Sequence, residues 1–301
     1  MQQEPFLVRI ARQWGWRAYA IPVLLVLTVV IVVDIFRTPE AGLTDTSYTS
    51  SQSSSGKPGP VPGEDFLGEF DAGDLPPGPD FPTESTGEFS DVTIAQEAVG
   101  RGTELPVTYS VEIETSVGPG LVGGADAFAA TVNSIFADSR GWIADPRYSF
   151  EAVPRKDNPT MVVQLVATKT AHEICGTSLE MEVSCYLSPQ QEGDPGRVLI
   201  SVARWVRGAL AFSGDLGLYR QYVVNHEVGH GLGYAAHEPC PVDGGIAPIM
   251  MQQTLSVSND ELYEMNPNEV YRPDGKTCVP NGWPYPMGEG DAVAAPTQEA
   301  R

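Results

Sequence analysis

The run HEVGHGLGYAAH, residues 226–237, constrains this chain more than any other stretch. It sets two histidines four positions apart, a glutamate beside the first, then a glycine and a third histidine. On a helix, side chains four apart stand about one turn (~6 Å) from each other on one face. His226 and His230 can therefore each turn a ring nitrogen to within ~2.1 Å of a single zinc ion. Glu227 points to another side, where it can reach an ion-bound water without ligating the ion, as a general base must. Zinc lowers the pKa of its water from ~15.7 to ~7 and polarises a carbonyl. These residue types at this spacing predict amide hydrolysis, with a peptide or protein of the cell envelope as substrate.

Three protein ligands leave one coordination position open, and His237 is the leading third candidate. Gly233 can adopt φ > 0 without a Cβ clash, ending the helix and turning the chain back. The pattern H-E-x-x-H-x-x-G-x-x-H would place its last histidine where this chain has Ala236, so the turn must absorb one added residue. Glu261 or Glu264 on a later helix is an alternative, although neither is followed by Asp four residues on. Glu238, Cys240 and Asp243 are nearer and carry no supporting motif. The chain has 4 histidines, and all but His172, a loop residue by its surroundings, fall in this run. Ionisable groups amid Val, Leu and Tyr on a buried helix are costly without a partner, and a metal supplies one. The plain alternative is a helix whose polar residues face another protein. Downstream, APIMMQQT (247–254) carries Met250 and Met251, either of which can form a methionine turn beneath such histidines or simply fill a gap in the core.

Before this region the chain changes character twice. Arg9, Arg12 and Arg17 precede an apolar run from Ala18 to Val33, closed by Asp34 and Arg37. Nearly 19 residues at ~1.5 Å each approach the ~30 Å hydrocarbon core, so 18–36 is expected to be a single-pass signal anchor, with 1–17 cytoplasmic and the rest extracytoplasmic. A cleaved secretory signal peptide, with the protein released, is the alternative. Residues 37–91 are rich in Ser, Gly and Pro. From 38 to 91 they hold eleven Asp and Glu against one Lys, about half of the excess behind the net charge of -21. This segment is expected to be a disordered acidic linker. No basic patch with interleaved aromatics exists, so nucleic acid is excluded as an expected partner. Oligomeric state is open.

The folded part is expected over 92–288, with a polar tail at 289–301. VTYSVEIET (107–115) alternates as a strand, and Gly123 to Phe136 has helical spacing. Short apolar runs at Tyr148–Val153, Met161–Ala167, Met181–Leu187 and Val198–Val202 predict further strands in a mixed sheet. From Asp215 the pattern becomes helical, and a short helix is expected at Asn259–Met265. Gly-rich 118–124 lacks the order of a phosphate cradle and reads as a connection. Cys175, Cys185, Cys240 and Cys278 suit an oxidising compartment. Of three possible pairings, Cys175 with Cys185 and Cys240 with Cys278 are expected, closing loops worth roughly 3 and 4 kcal/mol. A cysteine zinc site lacks C-x-x-C spacing.

From DSRGW through YRQYVVNHEVGHGLG to PIMMQQT and PNGWPYP, the chain resembles the actinobacterial domain of unknown function 3152 family. The likeness covers roughly 92–288. It implies an exported or anchored zincin-like metallopeptidase. The domain would be an α/β (α+β), metzincin-like one, with a mixed sheet, a helix packed on it and a central active-site helix. His226, Glu227 and His230 match the family motif directly, and His237 with a one-residue shift. A binding module of the cell envelope that keeps zinc without turnover is the alternative.

Overall fold

The computed structural model describes residues 23–26, 28–29, 70–176 and 183–288. The chain divides into two compact units, Met1–Phe66 and Leu67–Arg301. In the first, residues 23–26 and 28–29 are helical. Among the described residues no helix is long and apolar enough to cross a membrane. The expected anchor, its single-pass topology and membrane attachment through it are corrected on that ground: a span needs about 20 consecutive apolar residues in one helix. The expected cytoplasmic segment 1–17, the rest of 18–36, residues 37–69 and the tail 289–301 lie outside the described residues.

Among its described residues the second unit carries seven strands: β1 (Phe89–Asp91), β2 (Gln96–Val99), β3 (Leu105–Glu114), β4 (Tyr148–Ala152), β5 (Met161–Val166), β6 (Cys185–Leu187) and β7 (Gly196–Ser201). They form one mixed sheet in the order β2-β4-β3-β5-β7-β6, with β1 beside the end of β3. The long β3 pairs in parallel with β4 through Leu105–Tyr109 and with β5 through Tyr109–Ile113. β7 continues in parallel from β5, while β6 closes that edge antiparallel. Every residue of β5, MVVQLV, is buried, as expected of a parallel strand covered on both faces.

Among its described residues the unit also carries five α-helices, in chain order α1 (Ala125–Ala137), α2 (Thr168–Cys175), α3 (Val202–Arg207), α4 (Leu216–Gly231) and α5 (Asn259–Met265). The stripe Phe128, Val132, Ile135 and Phe136 seats α1 on the sheet. There the Phe136 ring meets Tyr109 edge-on at 4.6 Å and stacks on Phe150 at 4.7 Å. Each such side chain contributes about 1.5–3 kcal/mol by burial. α4 lies over β7 and β6 and shares its core with α1 through Val132, Tyr222 and Val228. Val166, Ala171 and Leu199 pack a smaller core beneath α2, where the Cys175–Cys185 disulfide ties that helix to β6. A third core, around Met251, Leu255, Leu262 and Tyr271, is stapled by Cys240–Cys278.

The boundary that composition sets at residue 92 lies inside the folded unit, because residues 70–91 are fastened by polar contacts. Arg204 of α3, fully buried, donates to the carbonyls of Gly73 and Asp74. Arg207 donates to that of Pro79 and lies over the Phe81 ring. Glu114, also fully buried, accepts from Ser85 Oγ and from the backbone N–H groups of Thr86, Gly87 and Ala167. Apolar content alone carries no trace of such a strap. Val202, expected to end a strand, instead opens α3, and the strand expected from Met181 begins at Cys185, with 181–182 outside the described residues.

Candidate metal centre

Helix α4 starts where the Asp215 side chain accepts from the Leu218 N–H at 2.9 Å, capping an orphan donor. Its second half, from Tyr222 to Gly229, is buried throughout. A helix buried on all sides has no room for side chains where neighbours come closest. A Cβ at Gly229 would lie 2.5 Å from Met250 Sδ and 2.9 Å from Trp142, so only glycine admits both. The Trp142 indole N–H donates to the Asn225 carbonyl at 3.1 Å and its ring stacks on Tyr234 at 5.0 Å. After Leu232 the chain reverses at Gly233, whose φ of 102° is the left-handed value anticipated for that glycine.

This turn brings His237 back to the helix. The ring centroids of His226, His230 and His237 lie 4.9, 5.3 and 5.5 Å apart in pairs, and one nitrogen from each lies within 4.8 Å of the others. The three form a cluster able to bind a metal ion. Their outer nitrogens are fixed from behind. His226 Nδ1 meets the Ile249 carbonyl at 2.8 Å, His230 Nδ1 meets that of Tyr234 at 2.9 Å, and His237 Nδ1 lies 3.5 Å from Glu269 Oε2. Each contact engages Nδ1 and leaves Nε2 as the nitrogen available to an ion. His226 Nε2 is buried with no hydrogen-bond partner, which is costly unless a group such as a cation fills the gap. Burial holds the His226 pKa well below its ordinary 6.5, with the neighbouring His237 and His230 adding to the effect. Burial followed by His237 lowers that of His230. Neutral imidazoles are the form that ligates a cation. The donor set therefore fits a metal ion that takes nitrogen ligands.

Glu227 is 4% exposed, and burial pushes its pKa up to about 8. Among the described residues its carboxyl makes no hydrogen bond or ion pair. The complete peptidase centre expected from the motif is corrected to what the described residues assemble, a three-histidine cluster able to bind a metal.

The other residues singled out by sequence sit outside the cluster. Glu261 accepts from Ser256 Oγ, Asp243 from the Thr277 N–H, and Cys240 is disulfide-bonded. Burial raises the pKa of Glu238, whose N–H donates to the Met250 carbonyl. Glu264 is exposed, and His172 lies on α2. Met250 packs against Gly229, between the two helix histidines, whereas Met251 belongs to the core around the Cys240–Cys278 disulfide. Sequence reasoning passed over Glu269, Trp142 and Tyr234. Trp142 lies in a run already quoted for its resemblance, but nothing in the pattern ties it to the histidines; Glu269 has no local signal at all.

No curated protein and no solved structure matches the chain. The family model described as "Protein of unknown function (DUF3152)" matches residues 75–286, a span that holds the whole sheet and all three histidines. On that match the chain belongs to the DUF3152 family.

Proposed function

We propose that this domain is a zinc-stabilised binding module, in which His226, His230 and His237 hold one ion. The observation that carries the reading is the buried, unpartnered Nε2 of His226 facing two further imidazoles. Holding the ion there joins α4 to the return segment through Gly233 and steadies the loop at 247–254, whose Ile249 carbonyl already engages His226. The two disulfides suit an oxidising, extracytoplasmic setting. The motif, the Gly233 turn and Met250 beneath the helix support placing the domain among metzincin-like zincins. Dialysis against zinc followed by elemental analysis tests the reading. One ion per chain is expected, with loss of it in His226→Ala and in His237→Ala; a wild-type chain that stays folded and metal-free contradicts it.

A further inference from the structure

His226 and His230 are braced by backbone carbonyls, whereas the Nδ1 of His237 has a carboxylate beside it. Glu269 Oε2 lies 3.5 Å from His237 Nδ1, and among the described residues its carboxylate has no other partner. We propose that Glu269 is a positioning residue for the metal: it accepts the Nδ1–H of His237, selects the tautomer that leaves Nε2 free, and raises the ring's basicity toward the cation. The inference rests on the zinc-binding reading above.

The surrounding chain fixes the backbone that carries that carboxylate. Glu269 sits two residues before Tyr271, which is buried in the core that also contains Met251 and the Cys240–Cys278 disulfide. The Tyr271 hydroxyl accepts the Gln252 N–H at 2.9 Å. The segment carrying Glu269 is thereby pinned to the same 247–254 loop that supplies the Ile249 carbonyl to His226. Arg272 donates to the Glu269 carbonyl at 3.0 Å, and the Glu269 N–H to that of Asn266 at 3.1 Å, closing the local turn. His237 needs such support more than its fellow ligands. It stands beyond the helix on a turn lengthened by one residue, where no helical backbone sets the ring's direction. A carboxylate behind a ligating histidine fixes ring orientation and tautomer, and its removal typically lowers metal affinity about 10–100-fold.

The test is a zinc competition titration against a chromophoric chelator, run on full-length wild type, Glu269→Gln, Glu269→Ala and His237→Ala. Thermal melts of each metal-free protein are run alongside. Glu269→Ala is expected to weaken zinc about 10–100-fold, with the metal-free melt unchanged. Glu269→Gln, whose amide oxygen still accepts from Nδ1–H, is expected to fall between Ala and wild type. In the zinc-loaded wild type, proton NMR is expected to show a slowly exchanging His237 Nδ1–H, which Glu269→Ala loses. Wild-type-like zinc affinity in Glu269→Ala, or a weakening matched by a destabilised metal-free melt, would overturn the proposal while leaving the metal site standing. A wild type that takes up no zinc would overturn both.

Discussion

The imidazoles of His226 and His237 lie nearly parallel, their planes 21° apart and their centroids 5.5 Å apart, although one belongs to a buried helix and the other to the turn beyond it. Without a cation, rings at this separation have only weak mutual attraction to hold them. Zinc at 100 times its Kd contributes about 2.7 kcal/mol to a fold that binds it only when native. We expect zinc to raise Tm by about 5–10 °C for a domain of this size, and chelation to reverse the rise. Differential scanning calorimetry of wild type and His237→Ala checks this, since the variant's Tm should not respond.

Gly229 is where α4 yields to its neighbours. Replacing a helical glycine by alanine ordinarily stabilises by about 1 kcal/mol, but here the new Cβ would strike Met250 Sδ and the Trp142 ring. Gly229→Ala is expected to destabilise the domain by about 1–3 kcal/mol and to weaken metal binding, because Met250 follows the Ile249 that braces His226. Urea unfolding and zinc titration measure the two effects; a variant more stable than wild type would contradict the packing.

Helix α4 and the convergence of its histidines were legible because both are local. A 3.6-residue period and a four-residue spacing survive in the sequence whatever surrounds them. The strands at Tyr148, Met161 and Val198 were legible as short apolar runs for the same reason. What escaped depends on distant partners. The eight-residue α2 and the six-residue α3 are too short to be stable alone, and form because the sheet and residues 70–91 cover them. The strap itself is held through Arg204 and Glu114, whose buried hydrogen bonds have no periodicity. Glu269 reaches His237 only because Tyr271 anchors its loop, a relation no spacing encodes.

Glu114 makes the strap pH-dependent. Burial alone would raise its pKa, but donors from Ala167, Ser85, Thr170 and Gly87 outweigh that, and the value falls below the ordinary 4.5. With a depressed folded pKa, the unfolded chain binds the proton more readily as pH drops. Its stabilisation is therefore fully present above about 4.5 and lost as pH falls through the folded value. Glu114→Ala, which strands several buried donors, is expected to cost about 3 kcal/mol at pH 7 and to flatten the acid limb of a stability-against-pH curve obtained by urea unfolding.

The Cys240–Cys278 bridge closes a loop with a sequence separation of 38, worth about 4 kcal/mol in the chain-entropy model. That loop contains Met250, Ile249 and Glu269, three residues that support the histidines. Cys240→Ser with Cys278→Ser is expected to destabilise the domain by about that amount and to weaken zinc binding. The corresponding change at Cys175 and Cys185, which links α2 to β6, should leave zinc affinity within about twofold. Parallel denaturation and chelator-competition curves distinguish these outcomes.

The most direct measurement is an anomalous difference map from zinc-soaked crystals, collected on either side of the zinc absorption edge. The account predicts a single edge-dependent peak about 2.1 Å from Nε2 of each of His226, His230 and His237. Full-occupancy zinc elsewhere on the domain, or no peak between these rings in zinc excess, would contradict it.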